Sequence, residues 1–156
     1  MLRLERLTVQ DFGPFRGTQS VVFPQEDGVT IIYGGTGRGK TKLLNAIRYA
    51  LFGKVVTRGS RRISIDRVGD WEAGSEGHHG FKVVLDYSYA ATDYQLTRSC
   101  TPRKGVTHPA SEADYTEEVF LERNGRVLSP NDCSTALQRM MPENIARFFL
   151  FDGELL

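Results

Sequence analysis

Val29-Thr30-Ile31-Ile32-Tyr33 is an apolar, largely β-branched run that passes straight into Gly34-Gly35-Thr36-Gly37-Arg38-Gly39-Lys40-Thr41, and a helical pattern begins at once behind it. Strand, Gly-x-x-x-x-Gly-Lys-Thr and helix in that order constrain this chain more than any other feature. A backbone that curls around a triphosphate must turn consecutive N–H groups inward. Glycines at 34, 35, 37 and 39 permit that curvature and the close approach it requires. The helix opening near Lys40 offers its positive N-terminal end to the phosphates. Lys40 is therefore assigned to the β- and γ-phosphate oxygens, and the Thr41 hydroxyl to a magnesium ion. The chain is expected to bind a nucleoside triphosphate with magnesium, through residues 34–42.

Composition limits the alternatives. The 156 residues make one ordinary domain with room for a core. A net charge of +1 provides no global field toward nucleic acid or a membrane surface. Cys100 and Cys133 match no metal-ligand spacing, which fits free thiols in a reducing, cytoplasmic setting. His78, His79 and His108 have no cysteine partner at zinc spacing and read as loop residues. No apolar run approaches the roughly twenty residues needed to span a bilayer, so no membrane role is expected.

Along the chain, alternation over residues 2–10 predicts a half-buried strand, followed by a turn at Asp11-Phe12-Gly13-Pro14-Phe15-Arg16-Gly17. Ser20 to Phe23 reads as a short second strand, and Gly28 to Tyr33 as a third, continuously apolar and hence central. Lys40 to Phe52 carries Leu43, Leu44, Ile47, Ala50 and Leu51 on one helical face, with Gly53 as its stop. Residues 54–80 lack periodicity and read as a functional or mobile loop. Phe81 to Tyr89 and Tyr94 to Cys100 are strong strands, and Thr101 to Ala113 is a polar loop. Tyr115 to Arg123 and Arg126 to Leu128 flank Asn124-Gly125, a hairpin signal. Ser129-Pro130-Asn131-Asp132 opens a capped helix that Met141-Pro142 interrupts. The expected fold is an α/β P-loop NTPase domain with a mixed sheet and a strong antiparallel component. The apolar pattern runs on to Leu156 with no polar tail, which suggests the first part of a longer protein.

A P-loop ATPase also needs a carboxylate at the end of another apolar strand to hold magnesium. Asp86, after Val83-Val84-Leu85, is one match, but a short apolar run ending in Asp is common and ordinary strand exposure is the favoured reading. Leu128-Ser129-Pro130 lacks the glycines of a Leu-Ser-Gly-Gly signature. Further catalytic parts are thus expected after Leu156. The alternative is a small, complete P-loop kinase or nucleotide-binding regulator that uses Asp86.

The opening strand with its Asp11-to-Gly17 turn, the early P-loop, and Leu43-Leu44-Asn45-Ala46-Ile47-Arg48-Tyr49-Ala50-Leu51-Phe52-Gly53 together resemble SMC-like ATPase heads of the SbcC type, a branch of the ABC ATPases. Phe148-Phe149-Leu150-Phe151-Asp152-Gly153-Glu154 is similar to a segment of the DndD ATPases of bacterial DNA phosphorothioation systems. The resemblance implies an N-terminal lobe whose coiled coil and C-terminal lobe follow residue 156. It implies head dimerisation and hydrolysis driven by ATP, with a second copy, DNA and other DNA-modification proteins as partners. The function implied is DNA modification or restriction, or, alternatively, double-strand-break repair of the SbcC type. The isolated lobe is expected to be inactive. Asp152 would take the place of the family's Q-loop glutamine, near magnesium and the γ-phosphate, where a carboxylate suits a hard cation. Arg16, Gly17 and Thr18 would lie near the ribose and base. Two departures stand out: Thr36 replaces the usual asparagine, and Lys42 the usual second Ser or Thr, leaving Lys42 to reach an α-phosphate or point to solvent. Residues 54–67 hold Lys54, Arg58, Arg61, Arg62 and Arg67 against Asp66 alone, so Arg58, Arg61 and Arg62 are candidates for DNA phosphate contacts.

Overall fold

The computed structural model describes residues 2–35, 39–57 and 61–142. Strands β1 (Leu2–Phe12), β2 (Phe15–Val22), β3 (Phe81–Tyr89), β4 (Thr92–Pro102), β5 (Tyr115–Arg123) and β6 (Arg126–Val127) form one six-stranded sheet in the order β2-β1-β3-β4-β5-β6. Every neighbouring pair is antiparallel. Helices α1 (Lys40–Phe52), α2 (Trp71–Ser75) and α3 (Pro130–Met140) complete the α/β domain.

Period-two alternation assigns the two faces of the sheet. On β3, Phe81, Val83, Leu85 and Tyr87 are buried, whereas Lys82 is exposed and Val84, Asp86 and Ser88 are half-buried. Register carries the pattern across four strands, pairing Leu7 with Leu85, Leu85 with Leu96, and Leu96 with Leu121. These four leucines are essentially inaccessible to solvent. Burying a leucine of this kind contributes roughly 1.5–3 kcal/mol, so this row is the spine of the core.

Helix α1 covers that apolar face. Tyr49 packs its ring 5.8 Å from Phe12 and 5.2 Å from Phe81, and those two rings stand 5.6 Å apart edge to face. The Tyr49 hydroxyl donates to Glu117 at 3.0 Å, and burial pushes its pKa well up, so it remains a neutral donor. Burial, reinforced by nearby Glu117, raises the Cys100 thiol to about 12. The buried Asn45 donates to the Val56 carbonyl at 2.7 Å, tying the chain beyond α1 back to the helix. Ser129 caps α3 as expected: its hydroxyl accepts from Asp132 N at 3.2 Å and donates to the Asp132 carboxylate at 2.7 Å.

The C-terminal end of α1 is closed by a residue far away in sequence. Arg98 Nε donates to the Ala50 carbonyl at 3.2 Å, and its guanidinium lies 5.8 Å from the Tyr49 ring centre, so a cation sits at the negative end of the helix. Gly53 follows at φ +66°, and a Cβ built there would meet Arg98 Nη1 at 2.9 Å. Gly53→Ala combines left-handed strain with displacement of Arg98. We expect it to cost about 1–3 kcal/mol and lower Tm by roughly 3–10 °C in a thermal melt; an unchanged Tm would refute both the strain and the clash at this position.

Two sequence expectations are corrected. The run at residues 28–33, expected as a central strand, joins no strand of the sheet among the described residues. Val29, Ile31, Ile32 and Tyr33 are 89%, 63%, 47% and 85% exposed. The order of the sheet explains this: β1 is already flanked by β2 and β3, and each inner strand likewise has both edges filled. The second correction concerns residues 54–80, whose described parts are packed rather than loose. Val56 bridges Arg62, a 3-10 turn spans Ile65–Arg67, and Asp70 caps α2 through Ala73 N at 2.8 Å. Ile65, Val68 and Ala73 are buried.

Candidate nucleotide-binding site

The site is built where α1 begins. Its first turn contains no acidic residue, so nothing there offsets the positive N-terminal end of the helix dipole. Gly39 caps it at φ +92°, a left-handed conformation that favours glycine. Lys40 opens the helix and folds its ammonium back over the loop, donating to the Gly34 carbonyl at 2.5 Å and the Gly35 carbonyl at 3.0 Å. The described start of the glycine loop, the lysine charge and the helix N-terminus thus lie together, and a lysine ammonium beside a helix N-terminus suits an anionic ligand. Thr41 occupies the second position of the helix and is half-buried. Thr36, Gly37 and Arg38 lie outside the described residues, as do Arg58 and Asp152.

The β1–β2 turn forms one wall. A Cβ placed on Gly39 would stand 3.1 Å from Phe15 Cζ and 3.6 Å from Pro14 Cγ, so this turn packs directly on the loop. On the other side of the turn, the stem of Lys42 lies beside Gly13, where an added Cβ would be 3.6 Å from Lys42 Cδ. Arg16 does not reach toward the loop. It bonds Glu76 at 2.5 Å and Glu72 at 3.1 Å, both on or next to α2, and Glu76 first, then Glu72, raises its pKa further. Gly17 N donates to Asp11 Oδ1 at 2.7 Å, while Thr18 pairs with Gln10 within the sheet. Arg16, Gly17 and Thr18 thus find their partners in Glu72 and Glu76, in Asp11 and in the sheet, and the turn meets the loop through Pro14 and Phe15.

Asp86 lies elsewhere. It pairs in register with Arg6 and accepts from Gln95 Nε2 at 2.8 Å. Its strand neighbours Leu85 and Tyr87 are the ones turned toward the buried face, so the sheet itself separates Asp86 from α1. Of the basic candidates, Arg62 is ion-paired with Glu112 and Arg67 lies 3.9 Å from Asp66, while Arg61 is exposed. Sequence reasoning did not find Phe15, Glu72 or Glu76. Their roles arise from contacts between distant segments and carry no local motif.

Among the described residues no helix is long and apolar enough to cross a membrane. A model of the AAA domain matches residues 6–132 of the chain. The chain is similar to the SbcC component of the nuclease SbcCD of Vibrio cholerae, with 29% identity over 155 residues covering 94% of this chain and 15% of that protein. The same-named protein of Treponema pallidum is 32% identical over 118 residues, covering 76% and 10%. The DNA replication and repair protein RecF of Chlorobium luteolum is 40% identical over 53 residues, covering 34% and 14%. The chain thus spans a small part of each of these relatives. A phosphate loop seated at the start of α1, beside a sheet of this topology, accords with a match over most of the chain: it belongs to the AAA domain family of P-loop ATPases, in its SbcC-like branch.

Proposed function

We propose that the chain is the ATP-binding N-terminal lobe of an SMC-like ATPase head that acts on DNA, and that a complementary lobe completes it. The observation that carries this reading is the exposed apolar run Val29–Tyr33 leading into the phosphate loop. An apolar run of this kind is stable in a sheet only when flanked and covered, and among the described residues it joins no strand of the lobe, whose inner strands already have both edges filled. A second lobe that supplied flanking strands would bury the run and bring a metal-binding carboxylate to the loop.

In this reading Lys40 neutralises the β- and γ-phosphate oxygens, and Thr41 and Asp152 hold magnesium, which would supply further charge stabilisation. Gly34 to Gly39 and Lys42 line the phosphates. A second copy would then close on the γ-phosphate, making ATP a population switch between separated and engaged heads. The names of the SbcCD and RecF relatives support a role in DNA repair. The narrower phosphorothioation reading rests on residues 148–154, outside the described residues. Because Arg62 is paired and Arg61 is exposed, DNA contacts among the described arginines of this segment fall chiefly to Arg61.

Turnover tests the proposal. Residues 1–156 alone should hydrolyse essentially no ATP, and activity should appear when the downstream lobe of the same protein is added. Robust hydrolysis by the lobe alone, abolished by Asp86→Asn, would instead establish a self-contained kinase or regulator.

A further inference from the structure

The β1–β2 turn is wedged between the phosphate loop and α2, and its side chains divide between them. Successive strand residues point to opposite sides. Phe15 lays its ring on Gly39, and Arg16 reaches the other way to Glu72 and Glu76. The backbone around them is tied down at three points: Gly13 N to the Val68 carbonyl at 2.8 Å, Asp70 N to the Asp11 carbonyl at 2.8 Å, and Gly17 N to Asp11 Oδ1 at 2.7 Å. Asp11 and Gly13 both hold positive φ, at 50° and 57°, so the turn keeps its shape only while its neighbours fix it.

We propose that Phe15 is a positioning residue for the phosphate loop, and that Arg16 is the clasp that holds Phe15 in place by binding Glu72 and Glu76. The inference rests on the reading of residues 34–41 as an ATP site. A phosphate loop binds through N–H groups already aimed inward, and each residue that must be ordered on binding weakens affinity. Gly39 has no side chain to anchor it, so the aromatic ring that occupies the space where a side chain would stand limits its motion. The ion pairs are exposed, with Arg16 49% accessible, and contribute little to global stability. Their effect is local: they fix which way the turn leans.

The test is calorimetric titration of the full chain with Mg·ATP and, separately, with magnesium tripolyphosphate, which has phosphates but no base. Phe15→Ala should weaken both by a similar factor, roughly tenfold for one additional residue to be ordered, and Phe15→Leu should restore most of it. Loss for ATP with no loss for tripolyphosphate would overturn the proposal, making Phe15 a base contact. Arg16→Met and the double variant Glu72→Gln/Glu76→Gln should each weaken tripolyphosphate binding a few-fold, and all three changes together no further. If the carboxylate variant strengthens binding while Arg16→Met weakens it, Arg16 is a nucleotide ligand and the clasp is refuted. These surface changes leave the core intact, so the Arg16 series decides the matter even if Phe15→Ala unfolds. Lys40→Ala separates the two levels. Tripolyphosphate binding that survives it would sink the ATP-site reading itself, whereas loss there with no change at Phe15 would sink only the positioning role.

Discussion

Lys40→Ala should weaken Mg·ATP binding by about 10- to 100-fold, as expected for removing charge-assisted hydrogen bonds worth about 1.5–3 kcal/mol. The ammonium now bonds the Gly34 and Gly35 carbonyls at the loop's mouth, and both partners are exposed. Water can replace it there, so the unliganded variant should melt within roughly 0.5 kcal/mol of the parent. The difference should emerge on adding nucleotide. A ligand at 100 times its Kd stabilises a protein by about 2.7 kcal/mol, and at the same concentration the variant should keep only about 0.4–1.4 kcal/mol of that shift. Lys40→Arg should not rescue, because a planar fork does not fit where a compact ammonium folds over two adjacent carbonyls. Parent-like affinity in Lys40→Ala would remove residues 34–41 from the function altogether.

What could be read in advance follows the physics of repetition. Helix α1 and strand β3 carry long periodic patterns, and Phe81–Tyr89 coincides with its expectation residue for residue. Asn124-Gly125 marks its hairpin because few other residues adopt that turn, with Asn124 at φ 49° and Gly125 at φ 75°. The single-turn elements at 65–67 and 71–75 are too short for any period to register. They are held by partners distant in sequence, as Asp70 N is by the Asp11 carbonyl. The same applies to the site. Its phosphate-binding centre is a contiguous motif, visible at once, whereas its wall depends on Arg16 meeting carboxylates 56 and 60 residues away.

The 28–33 segment fails differently, and informatively. An apolar run states that it is to be covered; it does not state by what. Placing it in the middle of this lobe's sheet assumes that the cover lies within the lobe. The antiparallel sheet instead closes on its own leucine spine and leaves the run outside, at the threshold of the phosphate loop. A segment so placed links nucleotide binding to whatever covers it, since the run and the loop share a backbone.

That link gives the second large effect. Ile31→Asp/Ile32→Asp should leave the isolated lobe as stable as the parent, because both side chains already face solvent at 63% and 47% exposure. Association with the complementary lobe should collapse. Each isoleucine withdrawn from a covered interface forfeits about 1.5–3 kcal/mol, and each carboxylate forced into it adds a desolvation cost of several kcal/mol. Together these amount to a loss of at least about 1,000-fold in affinity, measured by titrating the lobe with its downstream partner, with ATP turnover by the mixture falling in step. Thr30→Ser, which alters the same run without adding charge, should be nearly silent. Should the aspartate variant destabilise the isolated lobe by more than about 2 kcal/mol, the run packs within the lobe after all. If it leaves both lobe stability and association untouched, the segment is no interface, and the two-lobed head loses its chief support.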